Sequence, residues 1–121
     1  MSNTQIYEVV TGYLSYTQEL RDILASLGGE KVYIAGPITC VTDYKRAFNR
    51  MECELLGCGA IPLNPTMLPD DMEHKDYMKI CLAMIDVCDL VILLPDWEKS
   101  KGARLEVAYA DELGKMIIYP K

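Results

Sequence analysis

Apolar positions in this chain fall either into short continuous runs or into helical spacing, a pattern typical of an α/β protein. Four runs are too short for helices and predict strands buried on both faces: Lys31–Ala35, Ala60–Leu63, Leu90–Leu94 and Met116–Tyr119. Between the runs, apolar residues recur at three- and four-residue steps. This alternation predicts a parallel sheet joined by right-handed crossovers, with helices on both of its faces.

The segments between the strands predict three helices, running from Thr42 or Asp43 to about Leu56, from His74 or Lys75 to about Val87, and from just after Ser100 to Leu113. The last helix is predicted from an apolar stripe formed by Leu105, Ala108, Tyr109, Glu112 and Leu113. We expect Ser100 to cap this helix, because its hydroxyl can accept a hydrogen bond from the unpaired amides of the first turn.

Residues 5–27 also have near-helical apolar spacing and predict an additional amphipathic helix, which Gly28-Gly29 would end as a glycine cap. Gly12 and the β-branched residues around it weaken the first half of this helix. We therefore expect an N-terminal helix within residues 1–29, followed by one α/β domain at residues 30–121. The domain should be a Rossmann-like (flavodoxin-like) three-layer sandwich whose four parallel strands lie in the order 2-1-3-4.

The stretch that connects the third strand to the last helix has the arrangement of an anion site. A buried strand, a small polar turn containing Gly102 and a helix N-terminus present free amides, and the helix dipole also favours a phosphate or carboxylate there. Glu106 lies close to the start of the same helix. A carboxylate beside an anion-binding turn favours a site, although the helix dipole alone also favours an acidic residue near a helix start.

The carboxyl ends of the first two predicted strands are further candidates for ligand contact, because open α/β sheets bind ligands at that edge. Gly36, Pro37 and Ile38 follow the first strand, and Asn64 follows the second. The polar loop at residues 66–73 is consistent with a lid and equally with an ordinary surface loop.

Composition narrows the classes of partner. The 121 residues are enough for one domain, and the formal net charge of −6 argues against a general affinity for nucleic acid or for an anionic membrane surface. The five cysteines form no CxxC pair and have no usual metal spacing, which favours unpaired thiols in a reducing cytoplasm. We expect an intracellular, soluble protein that needs neither a metal nor a cofactor.

Three motifs carry a family resemblance over residues 31–119. The stretches KVYIAGPIT, GCGAIPLNP and CDLVILLPDWEKSKGARLEVAYADELGK resemble a family of small bacterial and phage domains. That family is related to the nucleoside 2-deoxyribosyltransferases and the 2'-deoxynucleoside 5'-monophosphate N-glycosidases. The resemblance implies a homo-oligomer, a dimer or higher, that acts on a nucleoside or nucleotide.

The resemblance also implies roles for individual residues. The nucleophilic glutamate of the superfamily falls on Glu106, and its active-site tyrosine falls on Tyr33. Ser100, Gly102 and Glu106 reproduce the Ser-x-Gly-x-x-x-Glu spacing of the monophosphate-hydrolysing branch. Because the transferase branch typically has aspartate at the serine position, Ser100 favours a substrate with a 5'-phosphate.

Two positions depart from the family pattern, and two aromatic side chains have more than one candidate role. Cys81 stands where an acid is expected, and Pro37 replaces a frequent serine; Asp76, Asp86 and Asp96 are candidates to supply the lost acid. Trp97 is a candidate to stack on a base or to pack as an ordinary half-buried ring. Tyr44 is a candidate to face the pocket.

The leading hypothesis is therefore an N-glycosidase or deoxyribosyltransferase-like enzyme that cleaves the N-glycosidic bond of a nucleoside 5'-monophosphate. In it Glu106 is the nucleophile, Tyr33 orients either this glutamate or the sugar, and Asp96 is a further catalytic candidate. The alternative is a nucleotide-binding module without turnover, a sensor or a sequestering protein, which the cysteine at position 81 favours. A structural or partner-binding protein on the same fold is a third hypothesis.

Overall fold

A six-stranded sheet and three long helices make up the part of the chain that the computed structural model describes, residues 4–10, 13–15, 22–23, 25–26, 28–38 and 43–120. The strands are β1 (Thr4–Val10), β2 (Tyr13–Ser15), β3 (Lys31–Ala35), β4 (Ile61–Leu63), β5 (Leu90–Leu93) and β6 (Met116–Pro120). The helices are α1 (Tyr44–Gly57), α2 (His74–Val87) and α3 (Lys101–Glu112). Short 3₁₀ turns at Pro65–Met67 and Trp97–Lys99 complete the connections.

The predicted parallel sheet is confirmed. The four expected strands lie side by side in the order β4-β3-β5-β6, which is the predicted order 2-1-3-4, and all three pairings are parallel. At the centre of the sheet, Tyr33 of β3 lies beside Val91 of β5 and Leu63 of β4. The carboxyl ends of these three strands therefore meet at one edge.

The predicted N-terminal helix is wrong over its first half. Residues 4–10 and 13–15 are strands: β1 pairs in parallel with β6, β2 pairs antiparallel with β1, and the whole sheet has the order β2-β1-β6-β5-β3-β4. Asp22, Ile23 and Ala25 have helical backbone, and Gly29 has a positive φ of 82°, as a glycine cap requires. Residues 16–21, 24 and 27 of the predicted helix lie outside the described residues.

Local propensity and an open sheet edge both explain the strands. Ile6, Val9 and Val10 are β-branched, a type that suits strands, and their spacing in so short a segment fits either period. Without β1, the strand β6 would present a row of unpaired backbone groups at the edge of the sheet. Pairing with β1 satisfies those groups, an effect that no local sequence window reports.

The central strands β3 and β5 bury both of their faces, as predicted for a three-layer sandwich. From β3, Val32 and Ile34 pack with the residues of α1, whereas Tyr33 and Ala35 pack with residues of α2 and α3. The core cluster on the face that α1 covers is apolar. The opposite face holds Glu106, which is only 5% exposed. A buried carboxylate on a core face is unfavourable unless it is hydrogen-bonded, so this face is the one that invites a functional explanation.

The helix ends follow their sequence signals only in part. Asp43 precedes α1 but its side chain makes no cap; its backbone has a φ of 64° and its carboxylate lies 3.4 Å from Arg46. Thr42, the other predicted cap, lies outside the described residues.

Over the described ranges, none of the helices has the length and apolar character that crossing a membrane requires.

Candidate active site

A cleft of about 720 Å³ opens where the carboxyl ends of β3, β4 and β5 meet. Its walls come from the segments that follow each strand and from the starts of α1, α2 and α3. The lining residues are Gly36, Ile38, Tyr44, Pro65, Thr66, Leu68, Pro69, Asp70, Met72, His74, Tyr77, Met78, Lys99, Ser100, Lys101, Gly102, Ala103 and Glu106. The cleft therefore lies at the edge where ligands were expected from the parallel topology.

Glu106 lies at the buried end of this cleft, on the face of α3 that packs against the sheet. Ala103 and Ala110 share that face at one-turn spacing, and their small side chains let the helix approach the strands closely. The apolar stripe predicted for α3 is wrong: Leu105 and Leu113 are nearly half exposed, 48% and 45%. The buried face carries a carboxylate instead of large apolar residues.

Tyr33 supplies the partner of this carboxylate. Its hydroxyl donates a hydrogen bond to Glu106 Oε2 at 2.5 Å, and its ring is fully buried at the centre of β3. Burial and the neighbouring carboxyl of Glu106 raise the pKa of Tyr33 well above its usual value. The phenol therefore stays protonated and remains a hydrogen-bond donor at any physiological pH.

The carboxyl of Glu106 has a pKa raised by burial to about 7, against an opposing effect of hydrogen bonds from Tyr33 and Cys81. Burial disfavours the charged form, whereas donors to the carboxylate favour it, and here burial has the larger effect. The group is consequently poised to exist in both protonation states near neutral pH. Perturbed carboxyls in clefts are frequent at sites of chemistry.

Cys81 lies beneath the cleft, fully buried on α2, where its thiol contacts Tyr33, Tyr77 and Glu106. Burial raises the pKa of the thiol to about 11. The residue at the position of the expected acid is therefore a neutral thiol beside the candidate nucleophile.

Among the described residues, no three His, Cys, Asp or Glu side chains are arranged to hold a metal ion.

The start of α3 forms the other end of the site. The Ser100 hydroxyl accepts a hydrogen bond from the Ala103 amide at 3.2 Å, as predicted for the cap, and its own proton remains free to donate. A methyl group added at Gly102 would stand 3.5 Å from Met78 Sδ and 3.9 Å from Ser100 Oγ. These are ordinary contacts, so packing alone does not require glycine here.

The outer wall of the cleft is held by a three-residue cluster. Tyr44 donates to Asp70 Oδ1 at 3.2 Å, and Lys45 Nζ lies 3.0 Å from Asp70 Oδ2. Hydrogen bonds from Lys45 and Tyr44 lower the pKa of Asp70, which is therefore ionised. Tyr44 thus lines the cleft as sequence reasoning suggested, whereas Asp70 was seen only as part of a polar loop.

Of the residues predicted after the first two strands, Gly36 and Ile38 line the cleft. A side chain at Gly36 would approach Leu94 Cβ to 2.8 Å, so close packing also requires this glycine. Pro37 is half-buried and Asn64 is buried, but neither is among the lining residues that the structure describes. Asn64 caps the following 3₁₀ turn by accepting from the Thr66 amide at 3.0 Å.

Two predicted residues lie elsewhere. Asp96 is exposed, has a φ of 65° and pairs with Lys99 at 3.3 Å, and Trp97 packs edge-on against Tyr119 with ring centroids 5.7 Å apart. Neither is among the described residues that line the cleft. The same holds for the other two candidate acids, Asp76 and Asp86.

Sequence reasoning did not select His74 and Tyr77, which also line the cleft. Both lie on the face of α2 that continues to Cys81, one and two turns further along the helix. That periodicity was available in the sequence. The sequence does not report that the first turns of α2 lie over the cleft.

Comparisons with known proteins agree with this architecture. Residues 30–119 match the family described as "Domain of unknown function (DUF4406)", so the chain belongs to that family, which is nucleoside deoxyribosyltransferase-like. Among solved structures, it is similar to a 2-desoxiribosyltransferase from Leishmania mexicana, with 26% sequence identity and a TM-score of 0.60. The match covers 74% of this chain and 63% of that chain. No curated protein matches.

Proposed function

We propose that this member of the DUF4406 family cleaves the N-glycosidic bond of a nucleoside 5'-monophosphate, as an N-glycosidase or a deoxyribosyltransferase-like enzyme. The observation that carries the proposal is the buried carboxyl of Glu106 at the inner end of the cleft, with the Tyr33 hydroxyl 2.5 Å from Oε2. The similar structure, named a 2-desoxiribosyltransferase, supports the same class of substrate.

Glu106 acts as the nucleophile in this proposal. Cleavage of the bond develops positive charge at C1', and a carboxylate oxygen can attack that carbon while the electron pair of the bond leaves with the base. Water or a second base then displaces the carboxylate from C1'. The Tyr33 hydroxyl holds Oε2 in place and leaves Oε1 as the attacking atom.

The start of α3 binds the 5' end of the substrate. The free proton of Ser100, the amides of the first turn and the helix dipole all favour an anion there. Lys101 adds a positive charge that is not neutralised by an ion pair with any residue in the described ranges. Gly102 leaves room for the phosphate to approach the backbone.

The test is chromatographic. Purified protein is incubated with ribo- and deoxyribonucleoside 5'-monophosphates and scored for free base, with Glu106→Gln and the matched control Glu112→Gln on the exposed end of the same helix. We expect Glu106→Gln to lose roughly 10³-fold or more of the rate and Glu112→Gln to lose nothing measurable. Equal rates in the wild type and Glu106→Gln would exclude this nucleophile.

A nucleotide-binding module without turnover is the second candidate. It is favoured by Cys81, a neutral thiol beside Glu106, and by the positions of Asp76, Asp86 and Asp96 away from the lining of the cleft, as far as the structure describes it. Its signature is a nucleotide-dependent rise in melting temperature without base release, retained in Glu106→Gln.

Assembly into a homo-oligomer is also part of the proposal. The family resemblance supports it, and Leu56, Ile61 and Val87 are apolar side chains about half exposed on the single chain. Light scattering after size-exclusion chromatography measures the mass in solution. A monomer at micromolar concentration would remove this part of the proposal and leave the chemistry to be judged on its own.

A further inference from the structure

Departure of a nucleobase needs a proton, and the residues assigned so far do not supply one. Glu106 must be ionised to attack, so it cannot also be the acid. Cys81 occupies the position of the expected acid, but its thiol is fully buried and burial raises its pKa to about 11. Such a group is too weak an acid to protonate a base efficiently near neutral pH.

The other groups along the cleft are also poor donors. Asp70 is kept ionised by Lys45 and Tyr44, and burial raises the pKa of Tyr77 far above its usual value. Histidine is the side chain whose ordinary pKa suits proton transfer near neutral pH, and the chain has one.

That histidine lies over the cleft. His74, Tyr77 and Met78 line the cleft at the first turns of α2, and Cys81 continues the same face toward the sheet. Seven residues separate His74 from Cys81, a distance of about 10 Å along the helix axis. His74 is exposed, whereas Glu106 lies at the buried end of the same cleft, so the histidine stands toward its mouth.

The side chain of His74 is free to contact a ligand. It is exposed, lines the cleft, and makes no hydrogen bond or ion pair with any other residue that the structure describes. His74 at the start of α2 and Glu106 on α3 line the same cleft, so one bound nucleotide can contact both side chains.

We propose that His74 protonates the departing base, an assignment that rests on the proposed function. A carboxylate oxygen of Glu106 forms the new bond to C1', the C1'–N bond breaks and its electron pair stays with the base. The imidazolium of His74 gives its proton to a ring nitrogen of that base. The neutral imidazole then takes a proton from the water that displaces Glu106, which completes the cycle.

Charged side chains surround His74. Asp70, Lys99, Lys101 and Glu106 share the cleft with it, and Glu73 and Lys75 flank it in sequence. The proposal requires the ionised form of Glu106, so kcat/KM should rise with pH through about 7. His74→Gln should lower the rate and leave this rising limb in place.

The experiment compares two leaving groups. Base release from the best natural nucleotide is measured beside cleavage of a 4-nitrophenyl 2-deoxyriboside 5-phosphate, whose leaving group needs no proton. We expect His74→Gln to slow the natural substrate about 10²-fold or more, and the nitrophenyl substrate by less than about threefold. Lys75→Gln, on the same exposed helical turn, is the matched control and should change neither rate. Thermal melting verifies that both variants are folded.

The outcomes separate the two proposals. No base release by the wild-type protein from any nucleotide overturns the proposed function, and the role of His74 falls with it. Base release that survives His74→Gln overturns the role of His74 alone. An equal loss on both substrates also overturns it, because a histidine that only shapes the cleft would affect both leaving groups alike.

Discussion

The two faces of the central sheet are packed by different kinds of residue, although the same strands supply both. On one face, Val32 and Ile34 of β3 pack with Phe48 and its neighbours on α1 in an apolar cluster, and the buried polar side chain beside this helix is the neutral Asn64, which donates to Asn49. On the other face, the next residues of the same strand meet α2 and α3, and a tyrosine hydroxyl contacts a buried carboxyl.

This difference assigns separate tasks to the two faces. Apolar burial stabilises the fold, and the α1 face contributes only that. Burial of Glu106 opposes folding whenever the carboxyl is ionised, so the second face gives up stability to hold a reactive group. The free energy of unfolding and the activity of variants on each face measure the two contributions separately.

The largest expected effect is on the α1 face. Phe48→Ala removes a buried aromatic ring and should lower the free energy of unfolding by about 3–5 kcal/mol, measured by urea denaturation. Its activity per folded molecule should stay close to that of the wild type, because the ring lies on the far side of the sheet from Glu106. A large fall in activity at full folding would mean that the two faces are not independent.

The same division explains what could be predicted from the sequence. The apolar runs that form β3 to β6 predict the parallel sheet and its order, because strands buried on both faces have an unambiguous pattern. The places of Ser100 and Glu106 in the site could also be predicted, because a buried strand, a polar turn and the start of a helix come together in this stretch. On α3 the pattern failed, since Leu105 and Leu113 indicate one face while Glu106 occupies the buried one.

Other parts depend on contacts between distant segments. The strand β1 forms because β6 presents an open edge more than one hundred residues away in the chain, which local spacing does not report. Asp96 and Trp97 follow β5 closely, yet neither is among the described lining residues, which resume at Lys99; the backbone of Asp96 is left-handed, with a φ of 65°. His74 reaches the cleft only through the packing of α2.

The second prediction concerns the α2 and α3 face. Because the pKa of Glu106 is raised to about 7 in the folded protein, its neutral form is favoured by folding. Stability from this group is therefore fully present below about pH 4.5, declines as the pH rises, and is lost above about pH 7, with a total change of about 3 kcal/mol. Glu106→Gln does not titrate and should lack this decline.

The measurement is the difference in unfolding free energy between Glu106→Gln and the wild type at pH 5 and at pH 8. Other titrating groups are common to both proteins and cancel in that difference. The free energy of unfolding of Glu106→Gln relative to that of the wild type should be higher at pH 8 than at pH 5, by up to about 3 kcal/mol. A difference that stays constant with pH would show that Glu106 is not held in a costly ionised state.

The third prediction has the smallest effect and concerns the bond from Tyr33. Tyr33→Phe removes the donor that favours the ionised form of Glu106, so the pKa of that carboxyl should rise further above 7. The rising limb of kcat/KM should move up by about one pH unit, so that the rate relative to the wild type falls about fivefold at pH 7 and largely recovers at pH 9, where the carboxyl is ionised in both proteins. Stopped assays of base release across this range measure the shift.

Tyr109→Phe is the matched control, because its hydroxyl also donates to a carboxylate at 2.5 Å, that of the exposed Asp86. It removes a tyrosine–carboxylate bond of the same length outside the cleft and should leave the profile unchanged. If Tyr33→Phe lowers the rate equally at every pH, the hydroxyl positions the carboxylate without changing its pKa. A shifted limb in Tyr33→Phe but not in Tyr109→Phe would locate the effect in the Tyr33–Glu106 bond, and hence in the one face of the sheet that combines burial with charge.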